Sequence, residues 1–293
     1  MSPNGTTSLG RLHAFDLPAP SITPPRTALP VLLSIPHAGR DYPNWLLAAA
    51  WGGRASLEVL EDPLVDRLAW RAMAGGFATV IARCPRAAID CNRAEDELDP
   101  SVIEGLKPAE MGPRSRAGLG LVPARTSSHG QLWRRRIGPD ELERRLQQVH
   151  RPYHDALERM LGEIAAGQQG AVLLDLHSMP PRPAAQPQHD IVIGDRNGTS
   201  AAPWVSALAA SIARERGFSV VLNDPFAGGH IAARHGTPAA GIHALQIEVA
   251  RTSYCQRDCR TPGPGFERVA CLFEALASGL GEALGGAAAI AAE

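Results

Sequence analysis

Two apolar runs in this chain each deliver a histidine. Val31-Leu32-Leu33-Ser34-Ile35 leads into Pro36-His37-Ala38-Gly39, and Ala171-Val172-Leu173-Leu174 continues through Asp175-Leu176 to His177-Ser178 before Pro180 and Pro181 break the chain. Short apolar runs bounded by chain-breaking residues read as buried strands. Ligands and catalytic groups of α/β proteins gather at the carboxyl ends of such strands. Two imidazoles at two strand ends point to a metal site.

The rest of the chain repeats the alternation of strand-like and helix-like segments that builds an α/β domain. Strands are expected at 31–35, 77–82, 171–176, 190–194, 219–222 and 243–249, and helices at about 64–75, 139–165, 201–216 and 264–282. Pro139 suits a first helical turn followed by acidic residues, and Pro152 predicts a kink. Residues 1–28, rich in Pro, Ser, Thr and Gly, read as an extended arm. Residues 29–283 form one catalytic domain, and 284–293 a flexible Ala/Gly-rich tail. Residues 95–135 show little periodicity and are expected to make a long excursion over one rim of the sheet.

A net charge of −1 over 293 residues gives no field to hold nucleic acid or an anionic membrane. Arg134-Arg135-Arg136 and Arg144-Arg145 are the one basic cluster, and the second pair lies among Glu141 and Glu143 on what reads as a solvated helix face. Five cysteines form no CxxC pair, so free thiols in a reducing compartment are expected. Cys255 and Cys259 are spaced for adjacent helical turns. No window approaches a membrane span and no leader is recognisable, so a cytoplasmic protein is expected.

A catalytic zinc takes three protein ligands and keeps a position for water. His37 and His177 supply two, and Glu61-Asp62-Pro63 the carboxylate, with Asp62 preferred over Glu61 or Asp66. Other divalent metals suit the same donors. Glu248, in Leu245-Gln246-Ile247-Glu248-Val249, sits among apolar residues late in a strand, where desolvation raises a carboxyl toward the range of a general base. Arg93, in Ile89-Asp90-Cys91-Asn92-Arg93, is the candidate oxyanion cation. Asn92, Ser178, Arg196, Arg251 and Tyr254 are candidate substrate contacts. Gly194-Asp195-Arg196-Asn197-Gly198 lacks the residues of a phosphate loop and reads as a substrate-contacting or structural turn. The glycine-rich stretch around His230 and His235 reads as a polar loop between strands.

Together these stretches resemble the N-formylglutamate amidohydrolases, which are similar in fold to zinc carboxypeptidases and aspartoacylases. The resemblance rests on Ser34 to Gly39, Asp62 to Leu68, Ile89 to Arg93, Arg151-Pro152-Tyr153-His154-Asp155-Ala156-Leu157, Asp175 to Ser178, Gly194 to Gly198 and His243 to Tyr254, in family order. It implies a three-layer fold, a mixed and mainly parallel central sheet flanked by helices, with one catalytic zinc. It implies cleavage of N-formyl-L-glutamate, a small acidic N-acyl amino acid, to formate and glutamate at the end of histidine breakdown. His37 and His177 match the family's histidine ligands, Glu248 the general base of the related carboxypeptidases, and Arg93 the arginine of the Asp-x-Asn-Arg motif. The alternatives are a zinc deacylase or carboxypeptidase-like hydrolase of another N-acyl amino acid or peptide, and a non-catalytic binder of acidic ligands.

Overall fold

The computed structural model describes residues 16–107, 111–166, 168, 170–183 and 185–291. Seven strands form one sheet: β1 Ser21–Thr23, β2 Val31–Ile35, β3 Ala78–Ile81, β4 Ala171–Met179, β5 Ile191–Gly194, β6 Val220–Leu222 and β7 Ile242–Ala250. Their order is β1-β3-β2-β4-β7-β5-β6. β3, β2, β4 and β7 run parallel, as do β5 and β6, while β1 against β3 and β5 against β7 are antiparallel. The sheet is therefore mixed and mainly parallel, as expected. All six expected strands are present. β1 lies within the predicted arm and pairs along the edge of β3; residues 1–15 of that arm lie outside the described residues.

Helices cover both faces because side chains alternate along every strand. Val31, Leu33, Ile35, Val172, Leu174, Leu176, Leu245, Ile247 and Val249 pack against helices Val65–Leu68, Pro203–Glu215 and Phe266–Ala291. Leu32, Leu173 and Ala244 point the other way, toward Tyr153, Leu157 and Met160 of helix Arg151–Ala166. The last helix continues to Ala291, through residues assigned above to a tail, and 292–293 lie outside the described residues.

Three local readings change. The helix beginning at Pro139 is interrupted by a π turn, Leu146–His150, just before Pro152. Proline lacks an N–H and its ring crowds the carbonyl four residues back, and a widened turn relieves both. Arg145 is buried, not solvated: it donates to the Ala88 carbonyl at 2.7 Å and to Glu141 at 2.6 Å, with its guanidinium over the Trp45 and Trp133 rings. Cys255 and Cys259 share no helix; Cys255 bridges to Pro262, and all five thiols are free.

The excursion packs inward, with Val102, Ile103, Leu121, Leu132 and Trp133 buried in the core; residues 108–110 lie outside the described residues. Among the described residues no helix is long and apolar enough to cross a membrane.

Candidate active site

Strand register builds the site in layers on one face. Leu32, Leu173 and Ala244 are neighbours across β2, β4 and β7; two residues on, Asp175 pairs with Ser34 and Gln246; two further, His177 pairs with Glu248. The face thus turns from apolar to polar toward the carboxyl ends. Ser34 Oγ donates to Asp175 Oδ1 at 2.8 Å and lies 2.9 Å from the Tyr153 hydroxyl. His37 follows β2 on the Pro36–Gly39 turn. There a Cβ on Gly39 would overlap the Cys84 carbonyl, so the close approach requires glycine.

Asp62 joins the two histidines. His37 Nδ1 and His177 Nδ1 lie 3.1 Å apart, and Asp62 Oδ2 is 3.2 Å from the first and 3.0 Å from the second. Bonds of 2.0–2.1 Å at a tetrahedral ion put donor atoms about 3.3 Å apart, so this triangle has the dimensions of a zinc site. The outer nitrogens are anchored on carboxylates: His37 Nε2 is 2.7 Å from Asp90 Oδ1, and His177 Nε2 is 2.9 Å from Asp175 Oδ2. A carboxylate that accepts the Nε2 proton leaves the Nδ1 lone pair facing the triangle, which is how metal-ligating histidines are held. The donor set fits a divalent ion. Glu61 and Asp66 are engaged elsewhere, with Tyr42 and Arg260 and with Arg40 respectively.

Burial opposes ionisation of Asp62, but the adjoining His177 and His37 imidazoles, when charged, outweigh it and hold the carboxyl well below its usual range. Burial likewise opposes the charged form of His177, and the Asp175 carboxylate reverses this, raising the imidazole well above its usual value. Glu248 is pushed up, by burial first and then by the Asp62 charge. Its Oε1 accepts from Gln246 Nε2 at 2.8 Å.

The remaining candidates divide. Asn92 Nδ2 lies 3.1 Å from His177 Nε2 and 3.2 Å from Gln246 Oε1, and its Oδ1 accepts from the Ile231 N–H at 2.9 Å. Arg251 donates to Ser178 Oγ at 3.1 Å and to Asp62 Oδ1 at 3.3 Å. The Arg93 guanidinium is tied to the carbonyls of Leu119 and Asn92 at 2.8 and 2.7 Å. The Tyr254 hydroxyl is buried and donates to the Pro63 carbonyl at 2.7 Å. Among the described residues Arg196 makes no side-chain hydrogen bond to the triangle. It sits at positive φ in a turn that Asp195 holds through Gly198, Asn223 and Ser206.

Arg86 was missed. Its Nε donates to Asp90 Oδ2 at 2.8 Å, and the charges of Asp90, Asp62 and Glu248 together outweigh burial and raise its pKa. It therefore lies in the field of the site.

Residues 29–255 match the model of the N-formylglutamate amidohydrolase family. The chain is 32% identical over 234 residues to an N-formylglutamate deformylase of Pseudomonas putida, spanning 78% of this chain and 82% of that one. Identity to the N-formylglutamate deformylase of Pseudomonas aeruginosa is 32% over 236 residues, with 78% and 83% covered. The crystal structure of an N-formylglutamate amidohydrolase from Ralstonia eutropha JMP134 superposes with a TM-score of 0.82 at 30% identity, covering 90% of this chain and 98% of that one. By family match, identity and fold alike, this chain belongs to the N-formylglutamate amidohydrolase family.

Proposed function

We propose that the protein hydrolyses the amide bond of N-formyl-L-glutamate, releasing formate and L-glutamate, with a zinc ion held by His37, Asp62 and His177. The observation that carries this reading is the triangle of donor atoms, flanked on the neighbouring strand by a buried carboxyl in register with one of its histidines. A divalent ion there supplies Lewis acidity and lowers the pKa of water.

The chain's own groups do the rest. Glu248, with its affinity for a proton raised by burial, takes one from the attacking water at the carboxylate oxygen not held by Gln246, and returns it to the departing amine. Arg86 is the cation for the developing oxyanion, a role that Arg93, spent on backbone carbonyls, leaves to it. Arg251 orients the ligand carboxylate through Asp62 Oδ1, and its charge suits an acidic substrate. The substrate is a soluble small molecule and the thiols are unpaired, and we assign the protein to the cytoplasm.

The test is release of the free amino acid from a panel of N-formyl-L-glutamate, N-acetyl-L-glutamate and N-formyl-L-methionine. Preference for the first supports both acyl group and side chain; equal turnover of all three would reject the substrate assignment.

A further inference from the structure

A second group of imidazoles lies between helix Arg151–Ala166 and helix His230–His235. His150 closes the π turn and His154 follows four residues later, so the two rings are neighbours, with centroids 4.5 Å apart. His230 faces both, at 5.1 Å from His154 and 6.1 Å from His150, and His235 stacks on His154 at 5.2 Å. One nitrogen from each of His150, His154 and His230 lies within 4.8 Å of the other two.

The backbone fixes how two of these rings are protonated. His150 Nε2 is 2.8 Å from the Arg93 carbonyl, and His154 Nε2 is 2.9 Å from the Cys91 carbonyl. A carbonyl only accepts, so each Nε2 carries the proton and each Nδ1 keeps a lone pair. The His154 lone pair accepts from His235 Nε2 at 2.9 Å, a hydrogen bond that coordination of an ion at Nδ1 would replace. That of His150 is buried without a hydrogen-bond partner. Buried polar atoms are rarely left unsatisfied, and an imidazole anchored through one nitrogen with the other open is the arrangement of a metal ligand.

Electrostatics agree. Burial keeps the imidazoles in the neutral, ligating form, lowering His150 and taking His230 to about 4. Glu95 Oε1, 3.8 Å from His150 Nδ1, and Asp96 near His230 contribute negative charge. Arg234, itself 3.9 Å from Glu158, and Arg114 oppose them.

We propose that His150, His154 and His230 form a second divalent-cation site, separate from the His37–Asp62–His177 triangle. Its all-nitrogen donors select zinc, nickel or copper over magnesium or calcium. The two sites share one segment. The side chains of Asp90 and Asn92 contact His37 and His177, while the carbonyls of Cys91 and Arg93 anchor His154 and His150. An ion in the second site clamps helices Arg151–Ala166 and His230–His235 to the segment that carries the first site's supporting groups.

Zinc binding by untagged, chelator-treated protein, read by equilibrium dialysis and by thermal unfolding, tests this. Wild type should bind two ions per chain and His230→Ala one; His230 is only part-buried, so its loss spares the core. The His37→Ala/His177→Ala double variant should retain one ion and still gain melting temperature with added zinc, a gain that vanishes when His230→Ala is added. His230→Ala binding as many ions as wild type would overturn the site, whereas a single wild-type ion that His230→Ala loses would keep this site and reject the triangle. If the double variant does not fold, the comparison of wild type with His230→Ala decides alone.

Discussion

His177 and Glu248 occupy paired positions on adjacent parallel strands, β4 and β7, with both side chains on the face that carries Asp175 and Gln246. Alternation along a strand makes this placement all or nothing, because a shift of one residue would turn either group into the apolar layer of Leu176 and Ile247. The pairing puts a ligand candidate beside a carboxyl whose burial raises its proton affinity. The reaction proposed requires both in one place.

Glu248→Gln keeps the shape and the Gln246 contact but cannot accept a proton. Turnover of N-formyl-L-glutamate should fall by about 10²- to 10⁴-fold with metal content unchanged. Undiminished kcat would remove Glu248 from the role of base.

Asp175→Asn tests the anchoring of His177. An amide in place of the carboxylate no longer fixes the Nε2 proton, and loss of such partners weakens metal binding or activity by about 10- to 100-fold. Competition against a chromophoric chelator measures this directly, and unaltered affinity would contradict the anchoring argument.

Arg86→Gln removes the guanidinium that donates to Asp90 and whose charge acts on Glu248. Loss of a transition-state donor should lower kcat by about 10²- to 10³-fold with little change in metal content. Equal kcat in variant and wild type would return the oxyanion role to Arg93.

His235 carries a pH prediction for the chelated protein. Burial lowers it from 6.5 to about 3, with Arg234 and His230 adding to the effect. The unfolded chain therefore binds the proton first, and this contribution to stability is complete above pH 6.5 and lost as pH falls toward 3. The slope from this one group is at most about 1.4 kcal/mol per pH unit. Urea unfolding between pH 7 and 4 should show a shallower decline in His235→Gln; identical slopes would contradict the neutral assignment.

Gly229→Ala places a Cβ on the side-chain amide of Asn92. The amide must move from His177, Gln246 and the Ile231 N–H together, a steric cost of about 1–3 kcal/mol. Chemical denaturation should show that loss along with reduced activity.

Much of this was legible in the sequence because it is periodic. The central strands, His37, His177 and Glu248 lie in or just after apolar runs whose length and breakers announce a sheet edge. Asp62 is harder to read: the sequence favours it over Glu61 and Asp66, but only the fold shows Glu61 held by Tyr42 and Asp66 by Arg40. Arg86 follows Pro85 in a stretch with no period, and only the return of Asp90 beside it reveals its place. His150 and His154 look like one polar helix stripe, since their partners His230 and His235 arrive about eighty residues later in sequence. Three-residue β1 is held by edge pairing with β3, which leaves no alternation to detect.

In the mechanism proposed, the His37–Asp62–His177 triangle holds an ion on which hydrolysis depends. The most direct measurement is formate release from N-formyl-L-glutamate before chelation, after it, and after zinc is restored, with His177→Ala alongside. Turnover should disappear with the metal, return with zinc, and not return in the variant. Turnover that survives complete removal of metal would contradict that mechanism.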